Sequence, residues 1–496
     1  MWREQGWLST AKSIPGNDFG PFWHTTNGPL SGAVSDHVKR LKTTKGTEGH
    51  EVAISGRRVF PVVERRLTNL DFVYECERLE SMSVDPEIEA TSLSRSDQWH
   101  AVSASFMGWT LDAFDFFVLV FLVDTLAAQF HVPASKIILT LTATLAMRPV
   151  GAVIFGLLAD RYGRRRPLMA NVVFFSLFEL ACGFAPNYTV FFFLRAIYGI
   201  GMGGEWGVGA SLAMESAPKR WRGVLSGVVQ SGYSIGYLLA AVAARFVLPH
   251  WGWRAMFWVG GIPALLAFYI RFRVKESVAW KQNRAPTVGA ILRTASGHWK
   301  MFSYLVLMMT LMMFLSHGTQ DLYPHFLKEV HRFALATISY VAIAYNVAAV
   351  LGACCFGYLS ERFGRRRTML MALALSLASI PAWAFGGSLT ALVLGACLLQ
   401  MGVQGAWGII PAHLNELSPD AVRGLMPGLA YQLGILFAAP TNNIEYALRD
   451  RLGYAWALAA FEIVNILVLA TVVALGSEKK GRSFEKQAHT EMAGQV

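Results

Sequence analysis

Several ionisable side chains lie inside stretches that are otherwise apolar, where a charge is costly and is usually kept for function. Arg148 is the first. A guanidinium stays charged in such surroundings and can hold a carboxylate through two parallel N–H···O bonds, so Arg148 is a candidate for gripping an organic anion. The competing reading is a structural ion pair with Glu205 or Asp115. Asp112, Asp115, Glu205, His317 and Asp321 are candidates for carrying a proton, because buried carboxyls and imidazoles change protonation near neutral pH. For His317 a hydrogen-bonded packing role competes. Gln320, Tyr323, Tyr345, Asn346, Trp206 and Gln432 are polar or aromatic residues suited either to lining a cavity or to packing. No role follows for Glu179 and Glu462.

Spacing groups these residues by face. Asp112 and Asp115 share one side of a helix, as do His317 with Asp321 and Ser316 with Gln320. Pro324 then kinks or ends that helix. The rise of 1.5 Å per residue puts Asp112 and Asp115 about 16–21 Å deep, Arg148 about 18 Å, Glu205 about 14 Å, and His317 and Asp321 about 24–30 Å.

The elements that must position them are apolar helices. Of 496 residues 54% are hydrophobic and 16% charged, which excludes an ordinary soluble chain. Twelve segments have the roughly 20-residue length of a bilayer span. They run over 101–126, 135–159, 167–186, 189–214, 223–248 and 253–273, then 301–327, 335–359, 368–386, 389–414, 424–448 and 453–475. The net charge of +11 sits in short clusters between them. Arg161–Arg166, Lys219–Arg222, Arg271–Lys275, Arg362–Arg367 and Lys479–Arg482 fall on one side, while Cys182–Thr189 and Phe385–Thr390 on the other hold no Lys or Arg. The basic side is therefore expected to be cytoplasmic, with both termini inside.

The chain also repeats itself. Gly156-Leu-Leu-Ala-Asp160-Arg161-Tyr-Gly163-Arg164-Arg-Arg returns 201 residues on as Gly357-Tyr-Leu-Ser-Glu361-Arg362-Phe-Gly364-Arg365-Arg-Arg. Trp206-Gly207 returns as Trp407-Gly408, and Glu215…Pro218…Arg222-Gly223 as Glu416…Pro419…Arg423-Gly424. One offset across three motifs implies two homologous six-helix halves, with a transport site between them. The expected division is a polar extension 1–98 that reads as disordered, a bundle 99–274, a central cytoplasmic loop 275–300, a second bundle 301–476 and a tail 477–496. Met82 is an alternative start. The five cysteines have no metal or redox spacing, and four lie in apolar segments as packing residues. No Gly-x-x-x-x-Gly-Lys-Ser/Thr loop is present, so ATP is not expected to drive the protein. No nucleophile, base and oxyanion set suggests an enzyme, and neither a metal nor a cofactor is implied.

The Gly156–Arg166 motif, its copy and the Arg195-Ala-Ile-Tyr-Gly199-Ile-Gly201-Met-Gly203-Gly204-Glu205 run resemble signatures of the major facilitator superfamily over residues 100–476. That resemblance implies an all-α membrane protein of twelve helices with cytoplasmic termini. It also implies a conformational latch at Gly156, Asp160, Arg161, Gly163, Arg164, Glu215 and Arg222, and at Gly357, Glu361, Arg362, Gly364, Arg365, Glu416 and Arg423. Span 5 lacks the Gly-Pro of antiporters, which favours symport or uniport. Ser316-His317-Gly318-Thr319-Gln320-Asp321 resembles the core of the lactate/pyruvate permeases, which group with sialic-acid permeases as sialate:proton symporters. Trp109-x-Leu-Asp112-Ala-Phe-Asp115-Phe and Arg148-Pro149 are similar to that family too. Met313 and His325 depart from its longer motif, which leaves the exact substrate open. The resemblance implies symport of protons with a small carboxylate, lactate or pyruvate first and sialic acid second. The expected setting is a plasma (inner) membrane crossed many times, with the chain expected to work as a monomer and to have no nucleic-acid partner. A sugar or aromatic-acid porter is the nearest alternative. A non-transporting sensor on the same fold is the alternative from another class.

Overall fold

A computed structural model of the protein describes residues 93–485 except Pro263. The expectations for residues 1–92 (including Met82 and Cys76) and for 486–496 lie outside the described residues.

Each of the twelve apolar segments is helical. The first comprises α1 (Arg95–Phe121) and the short α2 (Val123–Gln129). Then come α3 (Ala134–Tyr162), α4 (Arg165–Cys182), α5 (Tyr188–Ser216) and α6 (Arg222–Phe246). The sixth segment is α7 (Leu248–Val259) with α8 (Ala264–Arg273). The connection expected as a plain loop instead contains α9 (Val278–Asn283) and α10 (Val288–Gly297), each begun by a capping hydroxyl, Ser277 or Thr287. The second set is α11 (Trp299–Gln320) with α12 (Tyr323–Glu329), α13 (Leu335–Phe363), α14 (Arg365–Phe385) and α15 (Leu389–Leu417). A 3₁₀ turn at Asp420–Val422 leads to α16 (Met426–Ala438), α17 (Thr441–Leu452) and α18 (Tyr454–Leu475).

The repeat is visible in the helix ends. α3 and α13 start and stop 201 residues apart, as do α5 and α15. Their caps match as well: Asn187 accepts from Val190 N–H, and Ser388 from Ala391 N–H. Gly163 and Gly364 close α3 and α13 at φ 103° and 94°, a turn that side-chain-bearing residues adopt only with strain.

Among the described residues nine helices are long and apolar enough to cross a membrane. The other three segments miss for local reasons. α4 carries Arg165, Arg166 and Glu179 in 18 residues. α5 is diluted by glycines and Glu205. The eleventh segment breaks between Ala438 and Thr441, where Pro440 removes a backbone donor. Large apolar side chains such as Phe193, Leu265, Phe268, Phe272 and Leu475 remain exposed on the outer surface, as a lipid-facing belt requires. Between the two sets, α6 packs on α13 and α16 on α3, which are repeat-related pairings.

Candidate functional site

At the basic end of the bundle the repeated loop motifs meet in a buried ion-pair network that closes the space between the halves, a closed end termed the gate. Arg164 donates to Asp160 at 2.6 Å and to Glu215 at 2.8 Å, and Glu215 also accepts from Arg423 at 3.2 Å. The second copy does the same. Arg365 donates to Glu361 at 2.9 Å and to Glu416 at 3.0 Å, and Glu416 accepts from Arg222 at 3.1 Å. Each glutamate thus joins an arginine of its own half to one from the other. Asp160 also accepts the N–H groups of Gly424 and Leu425, at 2.7 and 3.0 Å, just before α16. Glu361 accepts that of Gly223 at the start of α6. A carboxylate beside unpaired helix-start amides is favoured by their partial positive charge.

Close backbone approach completes the closure. A methyl on Gly207 would lie 2.6 Å from Gly428 Cα, and one on Gly156 2.7 Å from Leu425 Cα. Gly357 meets the Gly223 carbonyl in the same manner. Arg161 and Arg362, expected in the latch, stay outside it and lie over the rings of Tyr162 and Tyr358. Two flanking carboxylates hold the turns. Glu276 accepts from Arg164 N–H at 2.7 Å, and Glu478 from Arg366 N–H at 2.9 Å. Burial pushes the Glu276 carboxyl above its ordinary range, against the pull of the N–H groups of Arg164, Ser277 and Arg165. The segment after α18 then crosses the gate. Phe484 is buried with the guanidinium groups of Arg222 and Arg423 each 3.9 Å from its ring centre.

Beyond the gate lies a cavity of about 230 Å³. Its inner end is aromatic: Trp206 stacks on Tyr431 at 4.2 Å, Trp407 meets Tyr431 edge-on at 5.8 Å, and Trp109 stacks on Tyr233 at 5.6 Å. At the other end His317 and Asp321, 3.1 Å apart, have side chains 38% and 36% exposed. The protein is therefore closed at the gate and open at the opposite end.

Of the expected site residues, Arg148, His317, Gln320, Asp321, Tyr345 and Asn346 line this cavity. Trp206 and Gln432 lie beneath it. Trp206 donates to Gln230 at 3.3 Å and Gln432 to the Gly203 carbonyl at 3.2 Å. Gln320 donates to Gln400 at 2.7 Å. Tyr323 points elsewhere, its hydroxyl directed at the carbonyls of Trp383 and Leu392 between α14 and α15. Arg148 is buried with Nε and Nη2 unpartnered. Asp112 and Glu205 lie within its electrostatic reach, and their carboxylate oxygens have no hydrogen-bond partner either. Asp115 faces away from Arg148. It lies with Glu179 against Gly260, and Glu179 pairs with Arg195 behind the cavity wall. That ion pair is the role of Glu179 that spacing alone did not reveal.

The residues not singled out from sequence are mostly aromatic: Phe116, Phe117, Tyr233, Tyr237 and Tyr431, together with Gln230 and Gln404. A signal for some was available. Phe116 and Gln230 stand 201 residues before His317 and Tyr431, which places them at repeat-related points of the wall.

A duplicated helical bundle, closed at one end, with a cavity of aromatic and polar side chains between its halves, has the architecture of a membrane transporter. Comparison with known proteins agrees. The profile of the Major Facilitator Superfamily matches residues 105–324, and that described as Sugar (and other) transporter matches residues 309–478. A "Carboxylic acid transporter protein homolog" of Saccharomyces cerevisiae is 30% identical over 78% of this chain and 66% of its own length. A "Probable 4-methylmuconolactone transporter" of Cupriavidus pinatubonensis is 30% identical over 77% of this chain and 91% of its own. The solved structure of the proton:xylose symporter XylE superposes with a TM-score of 0.66 at 18% identity, covering 79% of this chain and 98% of that one. The chain belongs to the major facilitator superfamily.

Proposed function

We propose that the protein carries a small carboxylate together with protons across the plasma (inner) membrane by alternating access. In this reading all twelve helical segments span the bilayer, the gate and both termini face the cytoplasm, and the chain works as a monomer. One observation carries it: a buried arginine in the cavity wall has guanidinium N–H groups free of any protein partner. A carboxylate cargo would complete those bonds in paired geometry. Asp112 and Glu205, unpartnered beside Arg148, can take the proton that travels with the anion. His317 and Asp321 at the open end are a second pair for proton or substrate. Gln320, Tyr345 and Asn346 contribute polar groups to cargo, and Trp206 and Gln432 support the floor.

The cavity is smaller than the roughly 300–1,000 Å³ of drug-sized sites, which favours a lactate- or pyruvate-sized cargo over sialic acid. The name of one relative, a carboxylic acid transporter homolog, supports the acid class. A second reading is an aromatic or ring-bearing acid, favoured by the wall of Phe116, Phe117, Tyr233, Tyr237 and Tyr431. Competition uptake in proteoliposomes, acid outside and neutral inside, separates these readings. Lactate should displace label most strongly, and benzoate should do so if the ring-bearing reading holds. Displacement by glucose alone would overturn the carboxylate assignment.

A further inference from the structure

Two acidic side chains of the second half belong neither to the gate nor to the cavity wall. Glu445 on α17 and Glu462 on α18 are 1% and 0% exposed. Both Glu445 oxygens and Oε1 of Glu462 have no hydrogen-bond partner. Glu462 Oε2 accepts one long bond, 3.4 Å, from Asn465. Asn465 is itself buried at 6% exposure and leaves its own Oδ1 unpartnered at the same spot.

The charges around them do not compensate. α18 packs on α11, α14 and α17. α11 presents His317, with Asp321 just past its end, and passes Glu462 so closely at Gly318 that a side chain there would collide with Oε1. α17 presents Glu445 itself, while its Arg449 is drawn off to Glu329 at 3.4 Å near the surface. α14 has no charged residue after Arg367, and Tyr454 of α18 meets His325 at 3.0 Å. Two carboxylates with no cation beside them cannot both stay charged in a hydrocarbon slab. They have a connection to the cavity: Asp321 is 3.1 Å from His317 and accepts from Asn442 Nδ2 at 3.2 Å. Asn442 precedes Glu445 by three residues on one face of α17. Asp321 lies within electrostatic reach of Glu445, and Glu445 within that of Glu462.

We infer that Glu445 and Glu462 form a proton-holding pair in the second half, loaded from the cavity through His317 and Asp321. It rests on the proton-symport reading above. The proton comes from water at the open end, resides on a glutamate carboxylate as the neutral acid, and leaves to water on the gate side after the bundle reopens there.

The test uses the full chain in proteoliposomes with a trapped pH dye, labelled lactate as probe, and Glu445→Gln, Glu462→Gln and the double variant. The expected result is a fall of at least about twofold in protons moved per lactate in the double variant, with lactate counterflow retained. Glu462→Asp, which keeps an ionisable group, should recover much of the ratio. Infrared difference spectra on acidification provide a readout independent of transport: the protonated-carboxyl band should shrink in each Gln variant. If the unaltered protein moves no protons with lactate, the symport reading itself fails. If it does, and the double variant moves as many per lactate with an unchanged carboxyl band, only the present inference is overturned. Uptake that follows sodium and ignores pH, with sodium dependence lost in the double variant, overturns it in favour of a metal cation.

Discussion

At the scale of single residues, the informative feature is unmet hydrogen-bonding capacity. Arg148 was legible in the sequence because an arginine beside a proline in an apolar run has few structural uses. Its unpartnered nitrogens were not legible, since they depend on where Asp112, Asp115 and Glu205 point. Asp115 shows the limit of spacing. It shares a helical face with Asp112, yet the approach of α7 at Gly260 and the Glu179–Arg195 pair place it behind the wall. Arg148→Ala should weaken carboxylate binding by about 2–5 kcal/mol, and Arg148→Lys should recover little of it, because one ammonium lacks the paired geometry. Calorimetry or ligand-induced thermal shifts on purified protein would check this, and retained affinity in folded Arg148→Ala would sink the assignment. His317→Ala removes the only imidazole among the described residues of the cavity wall and should shift the pH optimum of uptake, read from initial rates across a pH series.

Among helices, the gate follows from the repeat. The pairing of each glutamate with one arginine from either half needs two copies of one loop facing each other. Asp160→Ala removes bonds to two backbone amides of the opposite half and an ion pair within its own. The gate-closed form should lose on the order of 1–3 kcal/mol, with substrate affinity little changed. Labelling of single cysteines placed on either side of the gate, with and without substrate, reads that shift. A large loss of binding with normal labelling would contradict the latch role. Gly207→Leu tests the packing itself. Its side chain cannot fit against Gly428, so the gate side should stay accessible and net uptake should collapse.

For the whole molecule, closure extends to the segment after α18. Phe484 sits against both arginines that cross between the halves, and Arg482 donates to the Ser418 carbonyl at 2.9 Å and to Asp420 at 2.9 Å. Phe484→Ala should weaken the gate by about 1–2 kcal/mol and speed labelling from its side, while leaving the cavity residues untouched. Unchanged labelling would make this segment a bystander. What the sequence determined by itself was the scaffold: apolar run length dictates helices, the basic loops mark one side, and the 201-residue repeat demands two like halves with matching gates. These are properties of local pattern, readable because each depends on neighbours along the chain. Only the tertiary structure decided which polar side chains meet. It turned Asp115 away from Arg148, gave Glu179 its arginine, sent Tyr323 between α14 and α15, and brought Tyr233 and Tyr431 from the fifth and eleventh helical segments into one wall. A helix face spans several residues, and its rotation and crossing are set by side-chain packing against other helices, so no spacing rule within one helix contains that information.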